Sequence, residues 1–496
     1  MKPFYTYLIL LTIASSFLFA QDSAFVRTIG GVNMDIARDV KECDNLGYII
    51  AGTTSSFGQG NTSMYLVKTD SMGRHLWSKN YGGLNSDWAY SVETTLDNGF
   101  LLSGFSNSFS SDYDPFVVKT DNDGNLLWQK VYPLNDWDFI YGSVALPDSS
   151  FILCGETYSN AIGGADGLVM RIDKLGNLIW MKNIGTTNDD KLKQVIYLNN
   201  TIYSVGSSTG NLHKNGMLVK LDINGNSEQK IYFNYDVNAN QELNCLDNNS
   251  LNELVMAGYV KPDGVNDIND WLMKIDTLGN VIFNYSGPAG TNGTKQFNDI
   301  VVIDNDEIIT AGTNNGGNGA LGLFMVRFSS AGLYIAADNF GGVNNEYGYA
   351  VTLTSNKHIA FVGGAESYTC GDQDLYFVMN RNQFFVANSK LNNRYFCDTL
   401  DLAVVDLKDL TAINTGISCF PNPFNNKLNV EINQETIERE VYLFSLKDLS
   451  GRLIFTTQMQ VGSNELVFNE LSEGMYFFEI ASDKKLISAG KLIHQK

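Results

Sequence analysis

Seven glycines recur along the chain at intervals of 52, 51, 51, 52, 54 and 51 residues, namely Gly52, Gly104, Gly155, Gly206, Gly258, Gly312 and Gly363. Each glycine ends a short apolar run such as YIIAG, FLLSG or LVMAG. A period near 50 residues with a strand-like run in every unit is typical of radial or solenoidal repetition. The repeat covers about three quarters of the chain, so it constrains the fold more than any single motif.

Aligned on these glycines, the units show four alternating segments bounded by Gly, Asn and Asp, which are strand and turn signals. In the second unit they are WAYSVETT, FLLSG, FVVKTD and, after a D-x-x-G turn, GNLLWQKVY. No segment of the repeats sustains a helical period. Four strands per unit, seven times over, predict an all-β fold and a seven-bladed β-propeller over residues 21–383.

The two ends of the repeat region complement each other. The seventh unit has its third segment, LYFVMN, but lacks the D-x-x-G turn and the fourth segment. The segment AFVRTIGG, residues 24–31, resembles the fourth segment LWSKNYGG, residues 76–83. We therefore expect an N-terminal strand to complete the last blade, which closes the ring and removes exposed sheet edges.

Charge and hydropathy limit the classes of partner. Lys and Arg number 34 against 54 Asp and Glu, which gives a net charge of −20 and argues against nucleic-acid binding. Residues 1–20, with one Lys followed by an apolar stretch, predict a signal peptide cleaved after Ala20. No later segment reaches the roughly 18 apolar residues of a spanning helix, so no transmembrane segment is expected in the mature chain.

The sequence predicts no metal, cofactor or catalytic residue. The four histidines are dispersed and no Cys/His zinc spacing occurs. The G-x-S-x-G match at 206–210 lies in a loop between strands and lacks the strand-to-helix turn of a nucleophile elbow. The segment 121–125, DNDGN, resembles the start of a calcium loop but lacks a downstream acidic ligand. Six cysteines allow a bridge among Cys370, Cys397 and Cys419, although spacing does not fix the connectivity.

An acidic residue recurs 17 positions before most of the marker glycines. The residues are Asp35, Asp87, Asp138, Asp189 and Glu346, with Gln241 and Lys295 in the remaining units. A residue that recurs in unit after unit serves the unit, so we interpret these carboxylates as structural acceptors for backbone N–H groups in the loop before strand one. A ligand site is asymmetric and is therefore expected among departures from the repeat.

The loops between strands two and three and the loops entering strand one are predicted to gather on one face of the ring. Candidate ligand-binding residues on this face are Tyr113, Trp137, Tyr158, Asp267, Asp270, Lys295 and Tyr368. The alternative is that these loops are solvated and have no dedicated ligand.

Beyond a linker predicted at 384–417, the tail carries FPNPF, LKDLSGRLIF, LSEGMYFFEI and a Lys-rich end, GKLIHQK. Short alternating segments between these motifs predict a small Ig-like β-sandwich. Residues 418–496 resemble the type A C-terminal sorting domain of the type IX secretion system. The motif residues that carry the resemblance are Pro421, Asn422, Pro423, Gly451, Arg452, Gly474, Tyr476 and Lys491.

This resemblance implies an exported Bacteroidota protein that passes through the periplasm, with its tail bound by the translocon and a sortase. The product is then secreted or held at the cell surface. The repeats resemble the D-x-x-G-x-x-x-W units of secreted Bacteroidota propellers and, more distantly, the tryptophan-docking repeat of quinone-dependent dehydrogenases, in scaffold only. The leading hypothesis is a non-catalytic binding or adhesion module for an extracellular glycan or protein. The alternatives are a polysaccharide hydrolase or lyase and a structural surface component. Two carboxylates, or a Tyr/His/Arg group, converging on one face would favour an enzyme.

Overall fold

The computed structural model describes residues 25–210, 212–287, 293–315, 320–367, 369, 372–380, 397–399, 417–421, 424–432, 442–447, 453–468, 471–472, 474–482 and 485–495. The predicted signal peptide and most of the predicted linker lie outside these residues. The chain divides into two compact units, Met1–Asp401 and Leu402–Lys496. The boundaries predicted from the sequence, at 383 and 417, remain predictions.

Six antiparallel four-stranded sheets follow one another in the first unit, each built from consecutive strands. Sheet one comprises β2 (Asp35–Glu42), β3 (Tyr48–Thr54), β4 (Ser63–Thr69) and β5 (His75–Tyr81). Sheet two comprises β6 (Asp87–Thr94), β7 (Phe100–Ser106), β8 (Asp114–Thr120) and β9 (Leu126–Val131). Sheet three comprises β10 (Asp138–Ala145), β11 (Phe151–Thr157), β12 (Asp166–Ile172) and β13 (Leu178–Ile184).

The next three sheets repeat the same order of strands. Sheet four comprises β14 (Asp190–Leu198), β15 (Thr201–Thr209), β16 (Lys214–Asp222) and β17 (Gln229–Phe233). Sheet five comprises β18 (Ala239–Asn248), β19 (Leu254–Pro262), β20 (Asn269–Ile275) and β21 (Val281–Ser286). Sheet six comprises β22 (Lys295–Val302), β23 (Ile308–Asn315), β24 (Leu321–Phe328) and β25 (Tyr334–Phe340).

Sheet seven joins the two ends of the repeat region. Its first three strands are β26 (Glu346–Leu353), β27 (Ile359–Ala365) and β28 (Asp374–Asn380), and its fourth is β1 (Phe25–Gly30). Strand β1 pairs antiparallel with β28, with Thr28 opposite Tyr376. The segment β29 (Cys397–Thr399) adds to β1 in parallel. The pairing of the N-terminal segment with the last repeat is therefore the one that the sequence pattern predicts.

Apolar cores form between neighbouring sheets. Ala37 and Ile50 of sheet one pack in one core with Phe25 and Phe377 of sheet seven, and similar clusters join the sheets in between. Aromatic side chains of one sheet also pack on turn glycines of the next. The Trp77 ring of sheet one packs on Gly124 of sheet two, where an added Cβ would lie 2.8 Å from the ring. Equivalent contacts join Trp128 to Gly176 and Trp180 to Gly225. Each sheet therefore buries a face that it could not bury alone.

A steric constraint explains why glycine recurs at the seven marker positions. In every sheet the first strand carries one extra residue opposite its partner strand, a β-bulge, beside the glycine. A Cβ added at any of the seven glycines would come between 1.7 and 2.0 Å of a first-strand carbonyl oxygen. No other residue fits this close approach of two backbones.

The second unit contains two antiparallel sheets in its described part. One consists of β30 (Ile417–Phe420), β31 (Lys427–Ile432) and β34 (Gly462–Val467). The other consists of β32 (Tyr442–Lys447), β33 (Leu453–Met459), β35 (Gly474–Ser482) and β36 (Lys485–His494). Leu428 and Val430 of the first sheet share one core with Tyr442, Phe444 and Ile480 of the second.

Helical structure in the described residues is confined to the two short 3₁₀ segments Asp44–Leu46 and Asp304–Asp306. Accordingly, the described part of the chain holds no helix with the length and apolarity that crossing a bilayer requires. The protein is all-β, as the sequence predicts.

Candidate functional site

The bulges point one residue from each of the seven sheets into a single cavity. These residues are Arg38, Tyr90, Tyr141, Lys193, Asn244, Asn298 and Tyr349, and together they line a volume of about 400 Å³. We call them the axial residues. The extra residue of a bulge is free of the regular ladder, and bulges often serve to aim a side chain at a site. The axial residues differ from sheet to sheet, so the cavity is asymmetric although the scaffold repeats.

Arg38 lies close to two aromatic rings. Its guanidinium carbon lies 4.1 Å from the centroid of the Tyr349 ring and 5.0 Å from that of Tyr90. Its Nε is buried and has no hydrogen-bond partner within the described residues. Cation–π contacts stabilise the charge of a guanidinium without satisfying its in-plane N–H groups.

A second cationic group lies on sheets four and five. Glu242 accepts from Lys191 at 3.0 Å and is within 3.6 Å of Lys193 and 3.5 Å of Lys214. Burial alone would raise the pKa of Glu242, but the three lysines outweigh burial and lower it. Burial lowers the pKa of Lys193, whose Nζ lies 4.6 Å from the centroid of the Tyr141 ring. Three ammonium groups thus share one buried carboxylate.

The carboxylates that line the axial cavity serve the fold. Asp39 accepts from the backbone N–H of Val92 at 2.9 Å, and Asp299 accepts from that of Val351 at 2.9 Å. Burial raises the pKa of Asp299 and of Glu93 to about 7. The amine of Lys41 lies 3.4 Å from Asp39 and 3.9 Å from Glu93. Because these carboxylates bind the protein's own donors, they cross-link neighbouring sheets.

Three of the candidate residues lie together on sheets two and three. The Tyr113 ring lies 6.1 Å from that of Trp137 and 5.7 Å from that of Phe139, and Tyr158 lies 6.5 Å from Phe139. Phe139 stacks in turn on the axial residue Tyr141 at 6.3 Å. Trp137 is 51% exposed and Tyr158 is 41% exposed. A continuous aromatic path therefore runs from these exposed residues to the axial cavity, and we call it the aromatic path.

Tyr158 also lines a smaller cavity of about 230 Å³. Its other lining residues include Glu156, Lys191 and Lys214. Tyr141 donates its hydroxyl to Glu156 at 2.7 Å. The aromatic path and the cationic group of sheets four and five are therefore adjacent.

The remaining candidates lie elsewhere or outside the described residues. Asp267 accepts from the backbone N–H of Gly293, at the border of sheets five and six. Burial raises the pKa of Asp270, and Lys295 partly offsets that increase. No described contact joins these three residues to the aromatic path. Tyr368 lies outside the described residues.

The recurring carboxylates accept hydrogen bonds from nearby loops: Asp35, Asp87 and Glu346 from the loop before their own strand, and Asp138 from the loop between strands two and three of its sheet. Asp35 accepts from the Gly31 N–H at 2.7 Å, and Asp87 accepts from the Gly83 N–H at 2.8 Å. Asp138 accepts from the Ser159 hydroxyl at 2.8 Å, and Glu346 accepts from the Gly342 N–H at 2.7 Å.

In sheet four the equivalent residue is Asp190, which accepts from the Thr186 N–H at 2.6 Å, whereas Asp189 is exposed. The shift of one position has a local cause. Asn199 and Asn200, both with positive φ, form a two-residue hairpin, so this unit is one residue shorter between acid and glycine.

Four of the eight motif residues of the tail lie within the described residues. Pro421 follows a cis peptide bond and is exposed, and Gly474 has a φ of +152°. Tyr476 is buried and donates its hydroxyl to the Ser472 carbonyl at 2.8 Å, and Lys491 pairs with Phe477 in the ladder of β35 and β36. Asn422, Pro423, Gly451 and Arg452 lie outside the described residues.

The described residues contain no group of three or more His, Cys, Asp or Glu side chains arranged to hold a metal. Cys43, Cys154, Cys245 and Cys419 are free cysteines. A bridge involving Cys419 is therefore not formed, and the side chains of Cys370 and Cys397 lie outside the described residues.

Sequence reasoning did not identify the axial residues, although a signal was present. Six of the seven axial residues lie 14 positions before their marker glycine. Lys193 lies 13 positions before Gly206, because the hairpin of sheet four is one residue shorter. This position combines fixed spacing with changing chemistry, which is what an asymmetric site on a repeated scaffold requires.

Comparisons with solved structures return distant matches. The extracellular domain of BT4673 from B. thetaiotaomicron is 11% identical, with a TM-score of 0.42, over 93% of this chain and 57% of its own length. Sqt1 from Chaetomium thermophilum is 10% identical, with a TM-score of 0.42, over 69% of this chain and 82% of its own. The polysaccharide lyase Uly1 is 9% identical, with a TM-score of 0.45, over 69% of this chain and 89% of its own. This chain thus spans little more than half of the BT4673 domain, and no curated protein matches it.

The tail matches a protein family. Residues 418–495 match the family described as a secretion system C-terminal sorting domain. The match covers nearly the whole segment that the motifs delimit, and it supports secretion by the type IX system. The sorting domain indicates export of this protein to the cell surface or the extracellular space.

Proposed function

We propose that this protein is a type IX secretion cargo in which residues 21–383 form a seven-bladed β-propeller that binds a ligand outside the cell. The propeller assignment is supported by the seven sheets of the described residues and by the axial residues, which all line one cavity. In this proposal a signal peptide occupies residues 1–20, and residues 384–417 link the propeller to an Ig-like sorting domain.

The proposed partners of the sorting domain are the translocon and a sortase. Pro421, Gly474, Tyr476 and Lys491, with the motif residues outside the described part, are the residues we assign to this recognition. The described strands offer a physical route, because the outer strands of each sheet in the tail have one unpaired edge to which a partner strand can add.

The axial cavity and the aromatic path are the proposed ligand site. One observation carries this proposal: the asymmetric residues of the repeat converge on one cavity, and exposed aromatic side chains lead to it. Concave sites lined by aromatic residues with a few polar groups are typical of ligand binding. The recurring carboxylates Asp35, Asp87, Asp138 and Glu346, each the first residue of its strand, are proposed to be structural, because they bind the chain's own donors.

Polysaccharide cleavage is the second candidate, because Arg38 and three tyrosines converge as an enzyme would require. Its weakness is that the carboxylates of the cavity, Asp39, Glu93 and Asp299, already bind donors or cations of the chain itself. Burial raises the pKa of Tyr141, with Glu156 contributing next, and burial also raises the pKa of Tyr349. No histidine lies among the described residues that line the axial cavity. A tyrosine kept protonated at neutral pH is a poor proton acceptor, so binding is the favoured function.

The test is a glycan and protein binding screen of the chain lacking residues 1–20. We expect binding that falls at least about tenfold in Tyr141→Ala and in Trp137→Ala, since each removes a ring from the path. Leu251→Ala, an exposed residue on a distant hairpin, serves as the control. Cleavage of a polysaccharide would favour the enzyme, and a blank screen without cleavage would favour a structural surface component.

A further inference from the structure

We propose that the ligand of the axial cavity is an acidic saccharide whose carboxylate pairs with Arg38 and whose sugar rings lie along the aromatic path. This inference rests on the proposed function and adds the chemical class of the ligand.

The first step is the distribution of charge. The charged groups that line the axial cavity are balanced in number, with Arg38, Lys41 and Lys193 against Asp39, Glu93 and Asp299. Lys41 lies 3.4 Å from Asp39 and Lys193 lies 3.6 Å from Glu242, whereas no ion pair within the described residues engages Arg38. Arg38 is therefore the cation of this cavity that an anionic ligand can pair with.

The second step is the unpaired donor of Arg38. Within the described residues its Nε is buried without a partner, and no ion pair joins its guanidinium to an acidic side chain. A buried donor of a charged group that has no partner costs free energy. A ligand acceptor that pairs with this donor removes the cost. The neighbouring Asp39 does not fill this role, because it binds Val92, Ser91 and Lys41.

The third step is the shape of the partner that Arg38 prefers. The planar fork of N–H groups matches a carboxylate, with which it forms two parallel hydrogen bonds. Tyr90 and Tyr349 both lie within cation–π distance of the guanidinium, and such contacts leave its N–H edge to other partners. A carboxylate in the plane of the guanidinium would pair with that edge.

The fourth step is the chemistry of the remaining walls. On one side the cavity continues into the aromatic path through Tyr141 and Phe139. On the other side lie Asn244 and Asn298, whose amide nitrogens donate to backbone carbonyls of the next sheet. The Asn298 amide oxygen accepts from Gln296 Nε2 at 3.3 Å, so the Asn244 oxygen is the acceptor that this wall offers. A sugar ring presents an apolar C–H face for stacking and hydroxyl groups at its edge, so it matches both walls.

The test compares carboxylated oligosaccharides with their methyl esters, which have the same sugars and no charge. Oligogalacturonate, alginate, hyaluronan and oligosialic acid, each beside its ester, are titrated calorimetrically into the chain lacking residues 1–20. We expect at least one acid to bind and its ester to bind about 10- to 100-fold more weakly, the range for losing a charge-assisted hydrogen bond. Arg38→Gln should reduce binding of the acid similarly and leave binding of the ester unchanged.

Two further variants serve as controls for the effect of Arg38→Gln. Arg74→Gln removes an exposed cation from a hairpin outside the cavity and should bind as the native chain does. Arg38→Lys keeps the charge without the fork and should recover part of the affinity. Folding of each variant is checked by its thermal unfolding midpoint.

The outcomes separate this inference from the proposed function. Equal binding of acid and ester, or binding that Arg38→Gln does not alter, overturns the acidic saccharide and retains a binding module. Binding of oligoglutamate with no binding of any saccharide also overturns it, in favour of an acidic peptide. Absence of binding to every saccharide and protein tested overturns both.

Discussion

Phe25 packs against Gly73: a Cβ placed on that glycine would lie 2.3 Å from Cε2 of the Phe25 ring. Phe25 belongs to the first strand of the chain, whereas Gly73 lies in a turn of sheet one. Trp77 takes the same place against Gly124 one sheet further on. As the fourth strand of sheet seven, the N-terminal strand therefore makes the contact that Trp77, in the fourth strand of sheet one, makes with sheet two.

Truncation of the Phe25 side chain should lower the stability of the first compact unit, Met1–Asp401. We expect Phe25→Ala to lower the free energy of unfolding by about 3–5 kcal/mol, because the ring is buried between sheets seven and one. Chemical denaturation measures this change. Val32→Ala, at a position 72% exposed just after β1, is the control and should change stability by less than about 0.5 kcal/mol. Equal stability of the two variants would contradict a closing role for β1.

A marker glycine should not tolerate a methyl group. In Gly104→Ala the new Cβ would meet the Trp88 carbonyl oxygen at 1.9 Å, so we expect a loss of about 3 kcal/mol, the upper end for overpacking. Gly322→Ala is the matched control, since its Cβ would meet nothing closer than 3.4 Å. The thermal midpoints of the two variants measure the difference. A Gly104→Ala protein as stable as the control would show that the bulge can move away.

The buried carboxylate Glu93 should make stability depend on pH. Burial raises its pKa to about 7 from an ordinary value of 4.5, with Lys41 partly offsetting the shift. The folded protein therefore binds more protons than the unfolded chain between these values, and its free energy of unfolding falls as pH rises through this window. Glu93→Gln removes this contribution, so its stability relative to the native chain should increase from pH 5 to pH 8.

Denaturant titrations at four pH values measure that difference. Glu465→Gln, at a position where the carboxylate is 51% exposed, is the control and should track the native chain throughout. A constant difference between Glu93→Gln and the native chain would mean that Glu93 is ionised across the window.

Removal of the sorting domain should stop export at the periplasm. We expect a chain ending at residue 417 to accumulate there, because the translocon has no tail to bind, and fractionation of cells that produce it measures this. The full chain carrying Arg38→Gln should be exported normally, since its tail is unchanged. Appearance of the truncated chain outside the cell would refute the role of residues 418–496.

Much of the fold was accessible from the sequence because it repeats. A strand that recurs near every fifty residues identifies itself by comparison with its copies, and the incomplete last unit predicted that β1 pairs with β28. The position of Asp190 was missed by one residue. That error came from one hairpin, whose two asparagines shorten a single unit.

The candidate site was only partly accessible. The aromatic residues Tyr113, Trp137 and Tyr158 were selected as loop residues of one face, and the structure brings them together through Phe139. Arg38 and Lys193 were not selected, because strand periodicity predicts which face a residue occupies and assumes a regular ladder. A bulge breaks that regularity, and it becomes visible only when both strands of the pair are placed.

At the bulge beside every marker glycine, the residues that hold the two backbones together are not the residue that faces the cavity. The glycine and its facing carbonyl keep the two backbones together whatever side chain the extra residue carries. Seven positions can thus exchange charge, ring or amide with little cost to the sheets behind them. Related chains would be expected to diversify at the axial residues first and in the strands behind them last.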